Sequence, residues 1–235
     1  MHRFFCEELD GEVVSLDRSE SHHAINVLRL NVGDPVVLFD GCGTTAEGTI
    51  ARRTRSACDV QMSSRTRHDR PHGLRLTVAS AVPKGDRLRF LAEKLTEIGV
   101  DRFVPLNTSR SVVDPRQAKL QKLAAAVVAA TRQCERPWLM SIDGPSTLTS
   151  VLNDARSTDA RVFIAHPAAP GTGREAVIED APDSAVLLIG PEGGFTDDEV
   201  SLAKDSGAVL LDWPGSILRI ETAAIVFASR LLDRR

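Results

Sequence analysis

Apolar positions change their spacing near residue 74, and the change separates two kinds of structure. Before it lie short, partly alternating runs: Arg3–Phe5, Pro35–Phe39, Thr44–Ile50 and Cys58–Met62. Gly and Asp turns such as Asp40-Gly41-Cys42-Gly43 separate these runs. A period of two sends successive side chains to opposite faces and predicts strands. One short helix is predicted among them, with Ser21 as N-cap and Ile25, Val27, Leu28 and Leu30 forming its part-buried face. Arg65 to Gly73 is polar and contains Pro71, which reads as a linker.

From Leu74 strands and helices alternate. Leu74–Val82 and Phe103–Leu106 read as strands. Arg161–Ala165, Ala185–Ile189 and Ala208–Leu211 are compact apolar runs of the kind buried on both faces of a parallel sheet. Leu88, Leu91, Leu95 and Ile98 recur at helical spacing within Asp86–Ile98. Asp114-Pro115 forms an N-cap and N1 pair for a helix reaching about Cys134, stopped ahead of Pro137. Glu221–Leu232 closes the chain as an apolar helix. The pattern predicts a small β-rich domain over residues 1–70 and an α/β domain over residues 73–235.

Composition narrows the setting. With 235 residues and 42% apolar content the chain can build a real core. No apolar run approaches the roughly 20 residues of a membrane span, and the N-terminus lacks the apolar stretch of a signal peptide. Cys6, Cys42, Cys58 and Cys134 show no CxxC pair, which suits reduced thiols in a cytoplasmic protein. His22-His23 has no third ligand at metal spacing, so no metal site is expected. The net charge of −3 hides segregation: residues 84–136 hold 11 Lys and Arg against 6 Asp and Glu, and residues 137–235 hold 8 against 15. With the cluster Arg52, Arg53, Arg55, Arg65, Arg67 and Arg70, this leaves two local basic zones able to meet a polyanion. Charge alone favours solvated surface over a polyanion site.

Candidate chemistry gathers at two loops, each running from an apolar strand into a helix. Open α/β sheets bind ligands at such places. In the first, Gly190-Pro191-Glu192-Gly193-Gly194, the glycines would permit a phosphate cradle. The residues that follow argue against one. Thr196 and Glu199 form a capping box, Phe195 and Val200 a hydrophobic staple, and Glu192, Asp197, Asp198 and Glu199 make the region acidic. A neutral ligand, or one with a positive centre, fits better than a phosphate. In the second loop, Asp212 to Arg219, Pro214 and Gly215 imply a fixed backbone that presents main-chain donors and acceptors.

The pair LIGPEGGF (188–195) and ILRIETA (217–223) resembles the RsmE family of bacterial 16S rRNA uridine-N3 methyltransferases, members of the knotted SPOUT class. Four further segments carry the resemblance over nearly the whole chain. They are Met1-His2-Arg3-Phe4-Phe5, His22-His23 with Val27 to Asp34, Glu93 to Val100, and Gln133 with Arg136. The resemblance implies a PUA-like N-terminal β-barrel for RNA and an α/β domain with a trefoil knot, a rare exception to unthreaded chains. It implies S-adenosylmethionine as cofactor, held by Ala165, His166, Ile189, Gly190, Glu192, Gly193, Trp213, Gly215, Ile217 and Leu218. It also implies a homodimer acting on 16S rRNA or the 30S subunit. The sulfonium of that cofactor suits the acidic first loop.

Methylating uridine N3 means removing a weakly acidic proton or stabilising the anion it leaves. On motif position, Arg219 is the candidate for that stabilisation, and Glu97 and Glu221 are candidate proton acceptors, with water as competitor. N3 is a base-pairing atom, so the target must be unpaired or flipped. Arg3, His22, Arg29, Lys84, Lys94, Gln133 and Arg136 are the candidate RNA contacts. The chain departs from the family pattern at Arg132, Ser216 and Ile220, where Glu, Arg and Thr are usual. A same-fold enzyme acting on another nucleotide or atom, and an RNA-binding module without catalysis, stay open. A nucleotide-binding kinase is disfavoured by the absence of GxxxxGK[ST].

Overall fold

A computed structural model describes residues 1–113, 117–167 and 182–233, with no side-chain description for 117–121. The chain divides into two units: Met1–Pro71 with Val128–Leu139, and His72–Val127 with Met140–Arg235.

In the first unit, β1 (His2–Phe5), β2 (Val13–Ser15), β3 (Pro35–Phe39), β4 (Thr44–Arg53) and β5 (Cys58–Arg67) form a mixed sheet in the order β1-β3-β4-β5-β2. β1 runs parallel to β3, and the remaining pairs are antiparallel. The expected alternation holds: Phe4, Val36, Leu38, Ala46, Ile50 and Val60 share one buried cluster with Ala24 and Ile25. β4 and β5 both outrun their predicted ends, so the polar stretch expected as a linker from Arg65 belongs to a strand as far as Arg67. Polar side chains there cost nothing on the exposed face of a paired strand. Helix α1 (Arg18–His22) is capped by Asp17, whose carboxylate accepts from the Glu20 N–H at 2.7 Å. Ser21, expected as the cap, lies inside the helix instead. Its hydroxyl is buried, donates to the Leu16 carbonyl and accepts from the Cys58 N–H, tying helix to sheet. One turn of π-helix, His23–Val27, follows.

The second unit is an α/β layer structure. β6 (Arg75–Ser80), β7 (Arg102–Asn107), β8 (Ser141–Ile142), β10 (Arg161–Ala165), β11 (Ser184–Ile189) and β12 (Val209–Leu211) form an all-parallel sheet ordered β12-β10-β11-β6-β7-β8, and β9 (Ser146–Thr147) pairs with β7. Helices α2 (Arg87–Ile98), α4 (Leu148–Ser157), α5 (Asp197–Asp205) and α6 (Ile220–Leu232) cover it. α3 (Gln117–Gln133) starts in this unit and ends in the first. Asp114 and Pro115, its expected N-cap pair, lie outside the described residues.

Strand parity explains the layers. Ala79, Val104, Ile164, Val186 and Leu188 pack in one cluster with α4 and α5 residues such as Val151, Leu152, Val200 and Ala203. Their neighbours Leu76, Val78, Phe103, Phe163 and Leu187 are also buried and point to the other face. There α6 packs on β6, β11 and α2. β8, β9 and α4 were not expected from the apolar pattern, because the first two are only two residues long and Ser, Thr, Asn and Asp dilute the third.

After β10 the chain inserts β11 between β10 and β6, then places β12 on the far side of β10. The strand order therefore reverses at β10, and open sheets bind ligands at such a switch. Segment 168–181, between β10 and β11, lies outside the described residues.

Leu187→Ala should lower unfolding free energy by about 2–5 kcal/mol, because Leu187 is fully buried between sheet and helices. Urea unfolding followed by circular dichroism measures this.

Candidate functional site

The C-terminal ends of β10, β11 and β12 open into one cavity of about 740 Å³. Ala165 and His166 end β10, Ile189 and Gly190 end β11, and Leu211 and Asp212 end β12. The His166 N–H donates to the Leu211 carbonyl at 3.0 Å, fixing two of these ends together. All ten residues expected at a cofactor line this cavity: Ala165, His166, Ile189, Gly190, Glu192, Gly193, Trp213, Gly215, Ile217 and Leu218. Three of them are chemically distinctive. Trp213 packs edge-on against Phe227, 6.5 Å between ring centroids. Ile217 is 91% exposed, an unusual position for isoleucine. His166 has a buried Nδ1 without a hydrogen-bond partner, and burial first, then the Lys204 charge, hold the imidazole below its ordinary pKa.

The first loop is built as its residue types dictate. The Gly194 N–H donates to the Pro191 carbonyl at 2.8 Å, with Gly194 at a φ of 69° that favours glycine. A side chain at Gly190 would press on the Phe195 ring at 3.0 Å. The capping box is present in both directions: the Thr196 hydroxyl accepts from the Glu199 N–H, and the Glu199 carboxylate from the Thr196 N–H at 2.8 Å. Phe195 and Val200 are both buried in one cluster, as the staple requires. Glu199 also accepts from the Ser109 N–H at 2.8 Å. Partial burial pushes its pKa up, but these hydrogen bonds outweigh burial and hold the carboxyl below its ordinary value.

Two arginines that sequence reasoning passed over hold this loop. Arg110 donates from Nη1 to the Gly193 carbonyl at 2.7 Å and lines the cavity. It is the one Arg or Lys among the described lining residues. Arg87, at the start of α2, reaches Glu192 at 3.8 Å and Glu221 at 3.6 Å. Neither arginine stands in a recognisable local motif. The one signal available was their place just after strand ends of an α/β pattern.

The three catalytic candidates do not line the cavity. Arg219 is the exposed N-cap residue of α6, beside Leu218 and Ile220, which do. Glu221 is buried, paired with Arg87, and its Oε2 has no hydrogen-bond partner. Glu97, on α2, accepts from Lys94 at 2.7 and 2.8 Å.

The RNA candidates divide by unit. In the second, Lys84 is exposed and Lys94 is held by Glu97. In the first, His22, Arg29 and Gln133 are exposed, and Arg136 is half-buried. Arg29 sits at a φ of 57°, an uncommon conformation for a side-chain-bearing residue, just after a π-turn of a kind that recurs at functional sites. Arg3 turns inward: it is 8% exposed, lies over the Phe39 ring at 5.1 Å and donates to the Arg136 carbonyl. Strand alternation sends Phe4 into the core, and Arg3 is covered on the opposite face. Arg132, off the family pattern, pairs with buried Glu20. An arginine there matches the carboxylate it meets.

Comparison with known families matches residues 70–232 to an RNA methyltransferase domain and residues 16–63 to an RNA methyltransferase PUA domain. The ribosomal RNA small subunit methyltransferase E of Mycobacterium tuberculosis is 30% identical over 226 residues, covering 92% of this chain and 84% of that protein. Its Bacillus subtilis counterpart is 27% identical, covering 98% and 96%. Among solved structures, a Legionella pneumophila protein in complex with SAM superposes with a TM-score of 0.87 at 27% identity, covering 99% and 97%. The expected fold class, α/β with an N-terminal PUA-type domain, agrees with these likenesses.

Thr196→Ala should cost about 1 kcal/mol of stability through loss of the cap. Glu199 contributes stability that is full above its unfolded pKa of about 4.3 and is lost as pH falls through its lower folded value. Glu199→Gln should therefore flatten the acid limb of a stability-versus-pH curve measured by urea unfolding.

Proposed function

Because this chain belongs to the family of ribosomal RNA small subunit methyltransferases E, we propose that it methylates N3 of a specific uridine in 16S rRNA. It is an S-adenosylmethionine-dependent methyltransferase acting on rRNA of the small subunit. The observation that carries the reading is the cavity at the switch of the parallel sheet, walled by the GPEGG and ILRIETA loops.

The cavity fits the cofactor. Its volume lies within the range of small-molecule sites. Leu211, Leu218 and Phe227 give apolar surface, and the loop backbones give donors and acceptors. Glu192, Asp197 and Asp212 put three carboxylates on the wall. When bound, S-adenosylmethionine supplies an electrophilic methyl on a positively charged sulfur.

The chain's own residues then hold a uridine in line and manage its N3 proton. Arg219, the exposed N-cap residue of α6 between the lining residues Leu218 and Ile220, stabilises the developing imidate. Glu221 is poorly placed to take the proton, since it is buried against Arg87. Glu97 is already held by Lys94. Water is therefore the acceptor, and the rate gain comes from positioning and from the cation. His22, Arg29, Gln133 and Arg136 carry RNA contacts from the N-terminal unit, and Lys84 and Lys94 from the other. A second copy of the chain covers Ile217 and Trp213, whose exposed apolar surface beside the cavity supports a homodimer. In this reading residues 1–70 form the RNA-binding domain and residues 73–235 the methyl-transferring one, with Val128–Leu139 of the latter grouping with the first unit. Among the described residues no helix is long and apolar enough to cross a membrane.

Mass mapping of small-subunit rRNA from strains with and without the gene tests the reading: one N3-methyluridine should vanish in the deletion. Arg219→Ala should lower turnover by on the order of 10²-fold while leaving cofactor affinity unchanged. Unchanged turnover in that variant would remove Arg219 from the mechanism. Ile217→Asp should shift sedimentation from dimer to monomer.

A further inference from the structure

The charges around the cavity are unevenly placed. Glu192, Asp197 and Asp212 line it, and against them stands Arg110, whose Nη1 is already engaged by the Gly193 carbonyl. Among the described residues, Glu192 differs from the other two carboxylates in having an ion-pair partner from outside the cavity. Arg87 reaches it at 3.8 Å while also reaching Glu221 at 3.6 Å. Glu221 is 92% shielded at its side chain and has an oxygen without a hydrogen bond. Its negative charge therefore holds the Arg87 guanidinium near the cavity wall. Arg87 is thus shared between a carboxylate that cannot leave and one, 45% exposed, that can turn toward a ligand.

Methyl transfer removes one positive charge from the cofactor. The sulfonium becomes a neutral thioether, and the rest of the molecule keeps its charges. A wall carrying net negative charge binds the sulfonium form better than the thioether by the difference in Coulomb energy. We infer that Glu192 makes this cavity discriminate cofactor from spent product by charge, and that Arg87, anchored by Glu221, is a positioning residue that sets the strength of the discrimination. Arg87 draws off part of the Glu192 field, which keeps the cofactor from binding too tightly to the loop and leaves a graded preference. The inference rests on the cofactor reading of the cavity and extends it to product release.

Calorimetric titration of the full chain with S-adenosylmethionine and, separately, S-adenosylhomocysteine tests it through the ratio of the two dissociation constants. Glu192→Gln keeps size and hydrogen bonding but removes the charge. It should shrink the preference for the sulfonium by about three- to tenfold, a shift of the size expected for one partly exposed charge. Arg87→Met should move the ratio the other way. Because that variant leaves Glu221 buried and unpaired, Arg87→Met with Glu221→Gln is the companion that keeps the fold neutral at this position. Added salt should reduce the wild-type preference. An unchanged ratio in Glu192→Gln, with both ligands still bound, overturns the charge assignment. A ratio that shifts in Glu192→Gln but not in the Arg87 variants overturns the role of Arg87. Failure of the wild-type chain to bind either ligand would instead overturn the cofactor reading, and this inference with it.

Discussion

Burial of a parallel sheet on both faces is the constraint on which the site depends. β10 and β11 carry apolar side chains at nearly every position, and β6 buries Leu76, Val78, Ala79 and Ser80, so helices must cover each face. With both faces closed, the chain can present polar groups only at strand ends. β10, β11 and β12 run the same way, so their C-terminal ends meet on one edge, and the order β12-β10-β11-β6 separates the connections leaving them. A cavity forms where those connections part. Rigid strands thus position the loops, and binding chemistry need only be written into them.

Ties across that edge keep the loops in place. His166 joins the end of β10 to that of β12 through its backbone. Glu199 accepts from both Thr196 and Ser109, joining the GPEGG loop to the turn after β7. Arg110 reaches the same loop from that turn, and Arg87 reaches it from α2 while also holding α6 through Glu221. The cavity wall is therefore braced from three elements distant in sequence. Off-pattern residues fit this frame. Ile220 is buried at the first turn of α6, where an apolar side chain packs well, and Ser216 is exposed on the cavity rim. Neither removes a backbone group from the wall.

Much of the site was legible without coordinates, for a specific reason. Capping boxes, hydrophobic staples and glycine turns are local devices whose partners lie within about five residues. Thr196, Glu199, Phe195 and Val200 accordingly sit as their spacing predicts. Ser21 shows the limit of the same reasoning. It is a good N-cap type in a plausible place, but a long-range bond to Cys58 makes its buried hydroxyl worth more inside the helix. Arg3 shows it again, since no local rule says that an arginine in β1 will be covered over Phe39.

The sequence by itself determined the longer apolar strands and helices, the parallel character of the second sheet, the two loops and their acidic, self-capped start. Each of these follows from periodicity or from contacts between near neighbours. Only the tertiary structure decided which charges meet. It paired Arg132 with Glu20 and Arg87 with both Glu192 and Glu221. It set Arg110 on the cavity wall. Charged side chains are long and their attraction is non-local, so their partners depend on how distant strands and helices are stacked, which no window along the chain contains.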